Sequence, residues 1–195
     1  MRMNRLIDHH LPTYDVRTRH EIEVQASATA TYRSIQNLDL GRSIPVAALF
    51  AIRGIPHFLT GKARPSRSFT LQTFIDLGFT VLDEAAPREF VMGTVGKFWR
   101  PDSGLLRLSS DEFDSFDEPG YAKGIMSFTV DELDSGHSLL ATETRVRCTD
   151  ASSRRKFSMY WRVIAPFSGW IRGVMLTQVK AAAEGQAELE QGSRA

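Results

Sequence analysis

The chain ends in a stripe of side chains that something must cover. From Ala151 the sequence takes up a period of 3.6. Phe157, Tyr160, Trp161, Ile164, Phe167, Ile171, Val174, Met175 and Gln178 then fall along one side of a single long helix. A helix with so wide an aromatic face gains most of its stability from packing that face against a partner of comparable size. Pro166 lies inside it; a proline ring there removes an amide donor and clashes with the preceding turn, so a kink is expected.

The partner is written upstream. Val16, Thr18, His20, Ile22 and Val24 alternate with Arg17, Arg19, Glu21 and Glu23, the period of a half-buried strand. Ser27 then caps a short amphipathic helix carrying Ala28, Tyr32, Ile35 and Leu38. Further strands are expected at 79–85, 88–99, 105–109, 121–133 and 138–149. Their turns are Ala86-Pro87, 100–104, the acidic segment 110–120 and 134–137. One strand, then helices, then consecutive strands, then one long helix is an α+β layout: an antiparallel sheet wrapped around the C-terminal helix.

With 195 residues, 42% apolar and 24% charged, the chain is ordinary globular material for one domain. The expected divisions are a loose N-terminal tail at 1–12, the domain at 13–183 and a frayed tail at 184–195. A formal net charge of +1 provides no global field for a nucleic-acid backbone or an anionic membrane. The single Cys148 excludes an internal disulfide, and no apolar run is long enough to span a bilayer; Val163 to Leu176 is broken by Arg172. A cytoplasmic protein without nucleic-acid partners is expected. GxSxG, GxGxxG, the P-loop, HExxH and CxxC are all absent, and no cofactor or metal is expected.

Within the domain, 42–78 reads as a helical insertion. Ile44, Val46, Leu49, Phe50, Ile52, Ile55, Phe58 and Leu59 supply more apolar area than a connector needs. The element either packs into the core or roofs a cavity, with Gly54, Pro56 and Gly61 as hinges. A second short helix in this region is expected at 70–77, stopped by Gly78.

The wording of several segments resembles a known family. DLGRS and LFAIRGIP (39–43 and 49–56), REFVMGTVGKFW (88–99), EPGYAKG (118–124) and TETRVRCTDASSRRKFSMYWRVIAPFSGWIRGVML (142–176) resemble START-related, Bet v 1-like proteins. These form the SRPBCC superfamily of polyketide cyclases/dehydrases and lipid-transport proteins, and bacterial members in particular. The resemblance spans roughly 14–183 and implies the helix-grip fold, with a hydrophobic cavity between sheet and C-terminal helix. It implies no reaction, since one fold hosts carriers, cyclases and inert scaffolds.

On these grounds the expected partner is a small hydrophobic or amphipathic molecule, lipid- or polyketide-like. The expected lining is His20, Phe50, Met92, Met126, Phe128, Thr142, Thr144, Tyr160, Trp161, Ile164, Phe167 and Ile171. Two alternatives stand beside simple binding: a cyclase or dehydratase using His20 or an inner carboxylate as base, and a ligand-free interaction module with a filled core. His20 itself reads either as a ligand donor or as a core histidine bonded to a threonine opposite. The outer charges Arg17, Arg19, Glu21 and Glu23, beside Glu143, Arg145 and Arg147, read as a solvated ion-pair ladder. Asp83 and Glu89 read as solvated hairpin-end acids, and Asp111, Glu112, Asp114, Asp117 and Glu118 as a surface loop pinned by Phe113 and Phe116. Gly93 and Gly96 permit curvature or close approach, and Gly169 with Gly173 lets the helix lie near the sheet.

Overall fold

The computed structural model describes residues 5–39 and 70–192. The elements in chain order are α1 (Leu6–His10), β1 (Val16–Val24), α2 (Ala28–Gln36), α3 (Leu71–Asp76), β2 (Thr80–Ala85) and β3 (Glu89–Gly96). These are followed by α4 (Ser110–Ser115), β4 (Ala122–Asp134), β5 (His137–Cys148) and α5 (Ala151–Gly192). The strands form one antiparallel sheet in the order β1-β5-β4-β3-β2, so the first and last strands are neighbours. One long helix against five antiparallel strands is the helix-grip arrangement.

Register decides which side chains face the helix. Thr18 stands opposite Thr144, His20 opposite Thr142 and Ile22 opposite Leu140. Across β4, Met126 faces both Thr144 and Met92, and Phe128 faces both Thr142 and Phe90. Because the side-chain period of a strand is two, this register puts all of them on one face. There Val24, Met92, Phe128 and Leu140 pack with Tyr32 and Ile35 of α2 and with Met175, Leu176, Val179 and Ala183 of α5. Pro166 is inside α5, and the helix runs on to Gly192, past the end expected at Ala183.

The opposite face of the sheet is covered too, which changes several expectations. Residues 5–12 are not a loose tail: they carry α1, whose Ile7, with the following Leu11, is fully buried against Val91, Val95, Ile125 and Phe113. The start of α1 rests on Glu89, whose carboxylate accepts from the Leu6 amide at 2.9 Å and the Ile7 amide at 3.3 Å. Those amides belong to the first turn, which has no intrahelical acceptors for them. Glu89 is therefore buried rather than a solvated hairpin acid, and burial raises its carboxyl above the ordinary range against those bonds.

The acidic segment forms α4 rather than a loop. Ser109 accepts from the Glu112 amide while the Glu112 carboxylate accepts from the Ser109 amide, a capping box. Phe113 is buried as expected, and Phe116 packs edge-on to Tyr121 at 5.4 Å. A side chain on Gly93 would meet that Phe113 ring at 2.8 Å, so the glycine serves close approach. Residues 105–109 form no strand; Leu106 makes a single bridge to Val95.

The outer charge ladder exists; Arg17, Glu21 and Glu23 are exposed as expected, but Glu143 and Arg145 at its centre are buried. Arg17 binds Glu143 through two bonds, of 2.8 and 2.9 Å; Arg145 reaches the same carboxylate at 2.7 Å, and Arg19 at 3.7 Å. Arg145 also donates to the Leu11 carbonyl and to Asp8. The segment that carries α1 has closed over the ladder, leaving the Glu143 side chain 3% exposed.

Candidate functional site

A cavity of about 210 Å³ lies between the helix-facing side of the sheet, α3, the segment 97–106 and α5. Its sheet wall is Thr94, Gly124, Met126, Thr144 and Val146; Phe74, Leu77 and Phe79 come from α3 and the turn after it. From α5 come Phe157, Tyr160 and Trp161 near the helix start, then Ser168, Ile171, Arg172 and Met175. Residues 157, 160 and 161, and again 168, 171, 172 and 175, are related by steps of three and four, and the two groups are seven apart (161 to 168), two helical turns, so one side of the helix presents them together.

This wall changes character along α5. At one end the rings of Phe157 and Trp161 stack at 5.7 Å, with Phe98 edge-on to Phe157 at 6.2 Å. Further along α5, one turn short of Met175, the guanidinium of Arg172, 6% exposed, donates from Nε to Thr144 Oγ1 at 3.2 Å. Eleven residues of helix separate Trp161 from Arg172, roughly 16 Å at the helical rise.

The sequence-expected lining divides as follows. Met126, Thr144, Tyr160, Trp161 and Ile171 line the cavity. Met92, Phe128 and Thr142 are buried in the packed core beside it. His20 faces α5 from β1 under Gly169, whose added Cβ would lie 3.5 Å from Nε2; Gly173 faces open space. Burial, and then the Arg172 charge, lowers the His20 pKa below 6.5, so its imidazole is neutral at pH 7. Ile164 is half-buried outside the lining. Phe167 is 47% exposed on the outer side of α5 with Met159, Val163 and Trp170; the expected stripe was drawn wider than the buried face of the helix. Phe50 and most of the expected insertion lie outside the described residues.

Sequence reasoning did not pick Arg172. It is the one charge inside Val163–Leu176, and a charge on the buried side of an aromatic helix was the signal that could have found it. It also passed over Phe74, Leu77 and Phe98: they lie in the helix expected at 70–77 and the strand expected at 88–99, but neither expectation showed that these elements reach the cavity.

A larger hollow, of about 730 Å³, lies on the opposite face among Arg5, Asp8, Arg17, Glu89 and Glu143. Its walls are the ion-pair network already described, so its polar groups largely satisfy one another. The apolar cavity is the better candidate for a ligand. Among the described residues, no cluster of three His, Cys, Asp or Glu could hold a metal, and no helix is long and apolar enough to cross a membrane.

Neither a protein-family model nor a curated protein matches the chain. Among solved structures it is similar to a conserved protein from Geobacillus kaustophilus, at 9% identity and a TM-score of 0.35, covering 88% of this chain and 94% of that one. It is similar also to the Zhui aromatase/cyclase from Streptomyces sp. R1128, at 13% identity and a TM-score of 0.33, covering 88% and 95%. A third likeness is to the di-domain aromatase/cyclase BexL of the BE-7585A biosynthetic pathway, at 11% identity and a TM-score of 0.32, covering 87% of this chain and 46% of that one. Likenesses this distant assign no activity.

Proposed function

We propose that the protein binds a small apolar or amphipathic molecule in the cavity between the sheet and α5. The observation that supports this most is the wall itself: rings and aliphatic side chains from four separate parts of the fold converge on one space, with a few hydroxyls and one guanidinium among them. Apolar walls supply affinity, and sparse polar groups supply orientation. The described wall carries no carboxylate and no imidazole, so the reading is one of binding rather than proton transfer.

The test is titration with the neutral fluorophore N-phenyl-1-naphthylamine, paired with native mass spectrometry of the freshly purified protein. Met126→Trp, which puts an indole into the cavity, is expected to weaken the fluorophore at least tenfold while the circular dichroism spectrum is kept. A wild-type protein that binds no fluorophore and releases nothing on denaturation has a filled core, and the reading fails. So does a Met126→Trp variant that binds as well as the wild type.

A further inference from the structure

The outer side of α5 is unlike a solvated helix surface. Met159, 71% exposed, Val163, 65% exposed, Phe167 and Trp170 stand in water, with Pro166 exposed between them. Spacings of four, four and three set these four along one side of the helix, away from the residues that line the cavity. Eight large apolar side chains are exposed among the described residues, and these four lie within twelve residues of one helix. Scattered exposed apolar side chains are ordinary, whereas a contiguous row marks an interaction surface.

Charge is the second observation. From Ala151 to Ala183 the helix carries Arg154, Arg155, Lys156, Arg162, Arg172 and Lys180, and no Asp or Glu. Arg154 is bound to Asp15 at 2.7 Å, and Arg172 is buried on the other side. Arg155, Lys156 and Arg162 are exposed and make no ion pair among the described residues. Arg155 and Lys156 precede Met159 by four and three residues and Arg162 follows it by three, so all three border the apolar row. Their stems extend the apolar edge while their charged heads reach outward.

We infer that this side of α5 docks on the surface of an anionic lipid bilayer. The helix lies on the bilayer and does not cross it. Met159, Val163, Phe167 and Trp170 enter the boundary between headgroups and acyl chains, and Arg155, Lys156 and Arg162 meet the lipid anions. An apolar face with Trp and Phe, edged by Lys and Arg, suits a helix lying in that boundary. A protein partner fits less well. The row is roughly 16 Å long and one helix wide, short of the roughly 800 Å² that each partner of a stable protein interface contributes. A second copy would add cations to the same face, with no Asp or Glu between 151 and 183 to pair them. The attraction is local, since the whole chain is near charge balance. It is independent of the binding reading above, because the docking side faces away from the cavity.

The experiment is co-sedimentation of the full chain with unilamellar vesicles, of phosphatidylcholine alone or of phosphatidylcholine and phosphatidylserine at about two to one. Wild type is expected to bind the anionic vesicles roughly tenfold more tightly, with the preference fading as salt is raised. Val163→Glu and, separately, Trp170→Gln are expected to weaken that binding several-fold while N-phenyl-1-naphthylamine binds the cavity unchanged. Arg155→Gln together with Arg162→Gln is expected to remove the preference for anionic vesicles. Wild type that stays in the supernatant with anionic vesicles overturns the inference, and so does equal binding to the two kinds. Binding that survives both Val163→Glu and Trp170→Gln also overturns it. A dimer that Val163→Glu dissociates, with no vesicle bound, gives the face to a second copy and overturns it likewise. In each case the fluorophore titration still decides the cavity reading by itself. The wild-type vesicle comparison decides the docking even if a variant does not fold.

Discussion

Glu143 is where three arginines meet. Burial pushes its carboxyl up, but hydrogen bonds from Arg17 and Arg145, and then their charges, outweigh this and hold it below the ordinary carboxylate range. Removing one member of a buried ion cluster leaves the others desolvated and uncompensated. Glu143→Gln is therefore expected to cost about 3 kcal/mol in denaturant unfolding; a loss well below 1 kcal/mol would mean the cluster behaves as a surface pair. That these charges pair was legible in the alternation of β1 and β5. That Glu143 and Arg145 are buried was not, because the cover comes from the segment carrying Leu6, Ile7 and Leu11, three apolar positions too few to show a period.

Among the elements, α5 begins on one carboxylate. Asp150 accepts from the amides of Ser152 and Ser153 at 2.7 and 2.9 Å, and from the Ser153 hydroxyl at 2.6 Å. It also takes the Gly120 amide, so the group that caps the helix pins the loop entering β4. The Ser153 hydroxyl foremost, then these amides, hold its pKa far below 3.8. A carboxyl lowered on folding stabilises above its unfolded pKa and loses that effect as pH falls toward the folded value. Asp150→Ala is expected to lower Tm by a constant amount above about pH 5. The gap should then close as pH drops through 3.8 and below. A gap that ignores pH would assign the loss to backbone propensity instead. The helices differ in how openly the sequence declares them. Ser27 announces α2, and α5 is unmistakable from its period. Ser109 and Glu112 spell a capping box for α4 that acidic composition masked. Nothing local marks α1, which exists because Glu89 holds its first amides and the sheet buries Ile7.

At the scale of the whole molecule, the sheet separates the core under α1 and α4 from the core under α5, with a third, smaller cluster of Ala122, Val146, Cys148 and Phe157 near the start of α5. Most strands were legible because their helix-facing positions alternate, although β2 slips register between Val81 and Asp83 and the strand expected at 105–109 is only a single bridge. The cavity was less so, since a void is the difference between many packing distances and no residue states it. His20 lies under α5, with the Arg172 charge acting on it from that helix and Thr142 opposite it on β5. Its lowered pKa means that the unfolded chain takes up a proton near 6.5 before the folded protein does, so stability falls as pH drops below that value. The stability difference between wild type and His20→Gln is expected to shrink as pH goes from 7.5 toward 5. A difference that stays flat would show the imidazole to be solvated. The placement of the tryptophans along α5 gives this end of the molecule an optical asymmetry: Trp161 looks into the cavity, while Trp170 stands 45% exposed on the outer side. Emission from one helix thus comes in two colours, a bluer component sensitive to what fills the cavity and a redder one open to aqueous quenchers, so occupancy can be followed by light without a label.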